Sequence, residues 1–344
     1  MQWSFGIQRL LPSQFLLDTS YVGSKSVALP VDLYGDSSSM GTDINTLPRQ
    51  YLSNSPTFDQ ANVDFLNAPV ANPFFGLPQF DGTDMSGPEI ARMNLLVPYP
   101  QFQSIHAVGT GGMSWYHAWQ TRIERRLHGG FTFLANYTWS KNMKATNYLN
   151  PTDSRPEHVI ETTDPGQVLT LAGVYEVPFG RGRHWGKSWH GVVNQVLGGW
   201  QLSSVFKAQR GMPQYTGDLV LLPGKTMRDA ILPKSQRTWD GGWFSLAPFD
   251  TNPDVQPGWN HIRTLSTGFN YLRGPGYWTL DADVSKTFAI REQLRLQFRC
   301  EAYNLTNKVN MGQWTALQFD YPGYIDGYTN GTPRVIQLGL RLSF

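Results

Sequence analysis

The sequence holds a single cysteine, Cys300, among 344 residues. That excludes a disulfide framework and any zinc site built on several thiolates. Charged residues make up only 16% and the formal net charge is +2, against a usual charged share of ~25%. A chain so balanced gives a nucleic acid no reason to bind, so no nucleic-acid partner is expected. Long apolar runs are missing too. Val220 to Leu222 is typical of the longest, far from the ~18 residues that a membrane helix needs. The opening MQWSFGIQRL has neither the cationic start nor the apolar core of a secretory signal peptide. There is no GxSxG, no HExxH and no phosphate loop, so neither enzymatic activity nor a cofactor is expected.

Aromatic residues are abundant at 13%, with 12 Trp, 15 Tyr and 19 Phe. Helical periodicity is almost absent, the best stretch being Trp189 to Leu197, whereas period-two alternation recurs throughout. The clearest case closes the chain, where Ile336, Leu338, Leu340, Leu342 and Phe344 share one face. Val335, Gln337, Gly339, Arg341 and Ser343 share the other. Nine such segments can be read, near 1–11, 14–23, 114–127, 130–143, 167–179, 199–213, 277–290, 294–308 and 333–344. At roughly 10–14 residues they exceed the ~5–6 of an average soluble strand and suit a tilted bilayer crossing. Lys286, Arg125 and His117 interrupt the apolar faces. Lys286 and Arg125 lie near strand ends, from which long cationic side chains can snorkel to the interface.

The connections alternate in length. Pro12-Ser13, His128-Gly129 and Arg291 to Gln293 are tight turns, while 24–113, 144–166, 214–276 and 309–332 are long. Short turns on one side and long loops on the other are the pattern of an outer-membrane barrel. Aromatics mark both ends of the apolar face. Phe15, Phe131, Phe179, Trp200, Phe288 and Phe344 fall on the tight-turn side, and Trp3, Tyr21, Trp115, Trp139 and Trp278 on the long-loop side. Two such rings form the girdles that hold a barrel at its two interfaces. The expected fold is therefore all-β, an antiparallel transmembrane β-barrel with long extracellular loops, in the bacterial outer membrane. A complete barrel of this kind has an even strand count. Nine strands beginning with one that runs toward a tight turn point to a partial barrel over residues 1–344.

Several segments, in order, resemble a known family: YVGSKS (21–26), NPFFGL (72–77), LLVPYPQF (95–102), SWYHAWQTRIERRL (114–127) and FLANYTWSKNM (133–143). The series continues with YEVPFGRGR (175–183), GGWQLSSVFKAQRGMP (198–213), LRGPG (272–276), LDADVSKTFAI (280–290), LRLQFRCEAYNLTN (294–307) and PRVIQLGLRLSF (333–344). Together they resemble the C-terminal part of the barrel of Oar-like TonB-dependent receptors, whose N-termini carry a carboxypeptidase-regulatory-like domain and a plug. The resemblance implies that these are the last nine of about 22 strands. It implies uptake of an unidentified ligand energised through TonB, which would act on a plug that this sequence does not contain. It also implies that the last strand, with Ile336, Leu338, Leu340, Leu342 and Phe344, is read by the outer-membrane assembly machinery. Outer-membrane lipid would face the apolar side.

The polar face carries mixed charges, among them Asp18, Arg122, Glu124, Arg126, Glu176, Lys207, Asp281, Asp283, Arg295, Arg299, Glu301 and Arg341. A hydrated lumen wall tolerates them as cross-strand ladders, and a substrate or proton path is the sharper alternative. His184 and His190 share one basic connection with Arg181, Arg183 and Lys187, which reads as a solvated turn, not a metal site. Cys300, on the apolar face, acts as a small hydrophobe. The long loops carry Tyr51, Tyr99, Phe102, Trp239, Trp243, Phe244, Trp259, Trp314, Tyr321, Tyr324 and Tyr328. Those rings suit stacking on a sugar or peptide, and equally suit loops packing on one another. Two other functions remain open at this level: a passive porin or structural surface barrel, and a soluble all-β carbohydrate-binding protein.

Overall fold

A computed structural model describes residues 1–31, 42–238, 242–290, 294–312 and 331–344, and the backbone of 317–318 and 321–322. One antiparallel sheet dominates. Among the described residues nine long strands follow one another in it, β1 (Gln2–Leu11), β2 (Phe15–Val31), β3 (Gly109–His128), β4 (Phe131–Ala145), β5 (Gln167–Glu176), β6 (Trp200–Gln209), β7 (Tyr277–Ala289), β8 (Arg295–Tyr303) and β9 (Val335–Ser343), and the short Val159–Ile160 pairs with β4 beside them. Each pairs with the next in chain order, a meander from β1 to β9. The sheet is open among the described residues, with β1 and β9 as its two edges.

The register carries the alternation across the whole sheet. Phe5 faces Tyr21, Tyr21 faces Trp119 and Trp119 faces Trp139. Farther along, Leu171 faces Phe206, Phe206 faces Leu280, Val284 faces Cys300 and Cys300 faces Leu338. Because the side-chain period is two, one such row places every apolar set on a common outward face. The inward rows are charged on the flanking strands, with Asp18 opposite Arg122 and Asp283 opposite Glu301.

Two of the tight turns are described. At the β3–β4 turn Gly129 and Gly130 have φ of 62° and 81°, the left-handed pair that a two-residue hairpin requires and that glycine adopts without a Cβ clash. At the β1–β2 turn Ser13 and Gln14 take φ of 61° and 64°. Arg291 to Gln293, the third expected turn, lies outside the described residues.

The strand ends differ from the alternation in informative ways. β2 and β3 run to 17 and 20 residues, well past the ~9–11 that a bilayer needs, so their paired ends project toward the long connections. β5 stops at Glu176, leaving Phe179 beyond the strand. β6 stops at Gln209, and Pro213–Tyr215 pairs instead with Gly268–Arg273 in a small separate sheet. β8 stops at Tyr303 because Asn304 and Asn307 turn the chain with φ of 48° and 52°. Among the described residues three short α-helices lie in connections: α1 (Gln60–Asn67), α2 (Arg92–Leu96) and α3 (Gly191–Leu197). α1 and α2 have no counterpart in the alternation.

Lys286 corrects the snorkelling expectation. It is 2% exposed, held beneath the 177–199 connection, with its Nζ bonded to the carbonyls of Val196 and Gly198. Arg125 stays on the outward face, its guanidinium over the rings of Phe15 and Phe131. His117, on the same outward face, takes a 2.6 Å hydrogen-bond contact at Nδ1 with the Tyr21 hydroxyl and meets the Trp3 ring edge-on. The interruptions of the apolar face are thus partnered by protein.

Candidate ligand-binding loops and lumen wall

The long connections form a packed body at one end of the sheet. Segment 214–276 has its own core, in which Leu219, Met227, Ala230, Phe244, Phe249 and Leu272 are buried. Trp243 packs against that core and its Nε1 donates to the Arg273 carbonyl at 3.1 Å. Burial of such apolar area is what orders a loop that has little regular backbone pairing.

Buried polar groups stitch this body to the other connections. The Ser53 N–H donates to the Asn260 carbonyl at 2.7 Å, and the Ile262 N–H to the Ser53 carbonyl at 2.9 Å. Asp59 caps α1 by accepting from the Asn62 N–H at 3.0 Å and also accepts from the Ser53 hydroxyl at 2.7 Å. Those hydrogen bonds hold its carboxyl below the usual carboxylate range. Asn150 reaches across from the β4–β5 connection, donating to the Arg263 carbonyl at 3.0 Å and accepting from the Arg263 N–H at 2.8 Å. Arg273 is paired with Asp164 at 3.1 Å, their side chains 5% and 1% exposed. Its guanidinium also donates to the carbonyls of Asp164 and Gly211, at 2.6 and 3.0 Å. Burial draws the Arg273 pKa down and Asp164 opposes that shift.

Between these connections lies a cavity of about 750 Å³, lined by Asn45, Phe80, Met93, Phe102, Trp259 and His261 among others. Phe102 and Trp259 remain 52% and 60% exposed. Amide side chains and the Asp84 carboxylate stand beside the rings, so the lining is mixed polar and aromatic. His261 sits 3.5 Å from Asp218 through its Nε2, and burial pushes the Asp218 carboxyl up while Arg263 and His261 oppose it. Of the loop aromatics, Trp243 and Phe244 serve packing, whereas Tyr99, Phe102 and Trp259 stay exposed. Trp239, Trp314, Tyr324, Tyr328 and the side chain of Tyr321 lie outside the described residues.

The charges of the polar face fall into two groups. On β3, Arg122 and Glu124 hydrogen-bond to each other. On β7 to β9, Arg299 lies 3.5 Å from Asp283 and 2.8 Å from Glu301. Asp283 accepts from the Ser203 hydroxyl at 3.1 Å, and Asp281 from the Asn304 N–H at 2.8 Å. Arg295 and Arg341 face Ser343 and Gln297 on the same side. Between the two groups, Leu134, Ala172, Val174 and Val205 make an apolar strip, part of a concavity of about 460 Å³. The alternation passes over this strip because β5 is apolar at both parities. Val168, Ala172 and Val174 on one face and Leu169, Leu171 and Tyr175 on the other leave no contrast to read.

The girdle residues are placed as follows. Phe15, Phe131, Trp200 and Phe288 stand on the outward face at the tight-turn end, with Phe15 and Phe131 beside Phe133 at 6.4 and 6.1 Å. Trp115, Trp139 and Trp278 stand on the same face nearer the long connections. Phe179 is the exception: it stacks on Trp189 and meets Trp185 at a tilt in the 177–199 connection. Ile336, Leu338, Leu340 and Leu342 face outward on β9 and are each more than half exposed, and Phe344 is 97% exposed beyond its end.

A family model described as an outer membrane beta barrel domain matches residues 1–337. No curated protein matches the chain. Among solved structures, the pyoverdine outer membrane receptor FpvA from Pseudomonas aeruginosa PAO1 bound to pyoverdine is similar at 13% identity and a TM-score of 0.41. That match covers 100% of this chain and 29% of the receptor. The ferric-catecholate import receptor Fiu from K12 E. coli is similar at 11% identity and a TM-score of 0.38, over 98% of this chain and 26% of that one. The chain thus spans between a quarter and a third of the length of these two receptors. With its register, its two faces and a family match over nearly its full length, the chain belongs to the outer membrane beta barrel domain family of the bacterial outer membrane.

Proposed function

We propose that this chain is the C-terminal barrel portion of an Oar-like TonB-dependent receptor, and that its long connections capture a ligand for energised uptake. The observation that carries the reading is the stitched body of three long connections around a 750 Å³ cavity at one end of a charged inward face. Such a body places stacking rings and amides where a ligand arriving from outside would meet them. The ordered run of motifs from YVGSKS to PRVIQLGLRLSF supports the Oar-like assignment. Unpaired backbone along β1 and β9 cannot stand in hydrocarbon, so further strands of an approximately 22-stranded barrel would pair with those edges. A plug in the lumen would then couple to TonB, and the assembly machinery would read β9.

The test is comparative depletion of the growth medium. Cells carrying the intact gene, cells lacking it and cells lacking the TonB motor are grown in one complex medium, and the spent media are compared by mass spectrometry. A compound taken up only when both gene and motor are present supports the reading. Phe102→Ala with Trp259→Ala should then slow that uptake without lowering the amount of assembled barrel. Uptake that needs the gene but not the motor would identify a passive porin.

A further inference from the structure

The connection between β5 and β6 is unlike the other turns at its end of the sheet. Residues 177–199 contain Arg181, Arg183 and Lys187 and not one Asp or Glu. Trp185 and Trp189 lie in the same stretch, and α3 ends it with the sequence GVVNQVL.

Where α3 sits follows from two hydrogen bonds. Trp200 and Lys286 are direct cross-strand partners on the outward face. The Trp200 Nε1 donates to the Val196 carbonyl at 2.9 Å. The Lys286 ammonium donates to that same carbonyl at 3.2 Å and to the Gly198 carbonyl. The last carbonyls of a helix lack intrahelical donors and carry its negative dipole end, so a buried ammonium is a fitting cap. Both donors spring from the outward face, which fastens α3 beside the sheet at girdle level and not over the lumen. Val192, Val193, Val196 and Leu197 nonetheless remain 78%, 49%, 55% and 49% exposed. Trp185 is 53% exposed, and Arg181 and Lys187 are exposed as well. Arg183 is paired with Glu176 at 2.6 Å.

We infer that residues 180–198 form an in-plane membrane-surface element that binds anionic phospholipid headgroups at the tight-turn boundary of the bilayer. Four exposed aliphatic side chains in a seven-residue helix make an apolar patch that water would penalise. It is continuous with the outward aromatic face, so the lipid that covers that face covers the patch. Arg181 and Lys187, with no carboxylate in their connection, supply the charge that a phosphate-bearing surface complements. The aliphatic residues enter the acyl boundary while the cations meet the headgroups. The assignment rests on the outward face being the lipid face.

The test uses the intact barrel protein that contains this chain, in a Cys300→Ala background, reconstituted into nanodiscs. One disc type is phosphatidylethanolamine alone; the other contains a quarter phosphatidylglycerol. An environment-sensitive fluorophore is attached at Val192→Cys or, as a control, at Leu338→Cys in mid-strand, and each disc carries a trace of lipid with a nitroxide near the headgroup or along the chain. Expected are quenching at position 192 by the headgroup-proximal nitroxide and at 338 by the mid-chain one. Native mass spectrometry should show phosphatidylglycerol enriched around the protein. Arg181→Gln with Lys187→Gln should weaken that enrichment by roughly fivefold per cation. Quenching at 338 with an unquenched, water-exposed probe at 192 overturns this inference alone. An unquenched probe at 338 overturns the lipid-face reading beneath it. Quenching at 192 with equal enrichment in the double variant would leave an apolar contact and refute headgroup binding.

Discussion

At the scale of single residues, the two faces of β9 give the sharpest contrast. Leu338 stands outward opposite Cys300, and Gln337 stands inward opposite Glu301. Leu338→Arg should destabilise the assembled barrel by about 2–4 kcal/mol, the cost of a guanidinium at mid-bilayer. Gln337→Arg gains an opposite-charge neighbour and should cost far less. Chemical denaturation in lipid vesicles measures both; equal losses would mean the faces are assigned wrongly. Gln297 would make a poorer control, since an arginine there would face Arg341. Phe344 poses a different question, because its ring is 97% exposed beyond the end of β9. Burial of one ring at the interface is worth only ~1.5–3 kcal/mol. If β9 is also the assembly signal, Phe344→Ala should lower the folded fraction by heat-modifiable gel mobility more than Phe15→Ala does. Phe15 suits the comparison because it holds a girdle position on a strand, whereas Phe179 lies in a connection. Equal folded fractions would reduce Phe344 to a girdle residue.

Among the elements, the long connections behave as a small folded body in their own right. Its pin is the Asp164–Arg273 pair, nearly excluded from solvent. Removing one partner of a buried pair leaves an uncompensated charge and costs about 3–5 kcal/mol. Asp164→Asn should therefore open segments 144–166 and 214–276 to added protease while the strands stay protected. Cleavage rates on intact cells test this, and rates unchanged from the parent would show that the hydrophobic core at Leu219, Phe244 and Leu272 holds the loops alone. The element scale is also where reading by pattern stops. Period-two alternation marks strands because one face is apolar and the other polar. α1 and α2 are eight and five residues long, too short for a helical period to stand out, and α1 is held by its buried Leu66 and the Asp59 cap. No periodic signal announces them.

For the whole molecule, the governing fact is a sheet open at both β1 and β9 among the described residues. In water an unpaired edge can be hydrated. In hydrocarbon each unsatisfied backbone group costs several kcal/mol. This 344-residue chain, exported with a leader but no other barrel segment, should accumulate as protease-sensitive material outside the membrane. Fused to the further strands that a receptor barrel would supply, it should become heat-modifiable and resistant. Assembly of the exported chain by itself would show that it closes a smaller barrel, the surface-barrel alternative, and would end the receptor-fragment reading.

The sequence by itself determined the strands and their faces. A β-strand's side chains alternate with a period that no tertiary context changes, and a lipid-facing surface demands apolar residues at every second position. The outward face from Phe5 to Leu338 is legible for that reason, as are the inward charges of β7 to β9. Tertiary structure alone decided what fills the space between distant segments. The cavity beside Phe102 and Trp259 arises where residues about 160 positions apart meet. Lys286 looked like a strand-end cation until α3 folded back to place its carbonyls over it. The apolar strip at Leu134, Ala172, Val174 and Val205 joins four side chains from three strands. Such features depend on which surfaces meet, and contact across a long separation leaves no periodic mark in the chain.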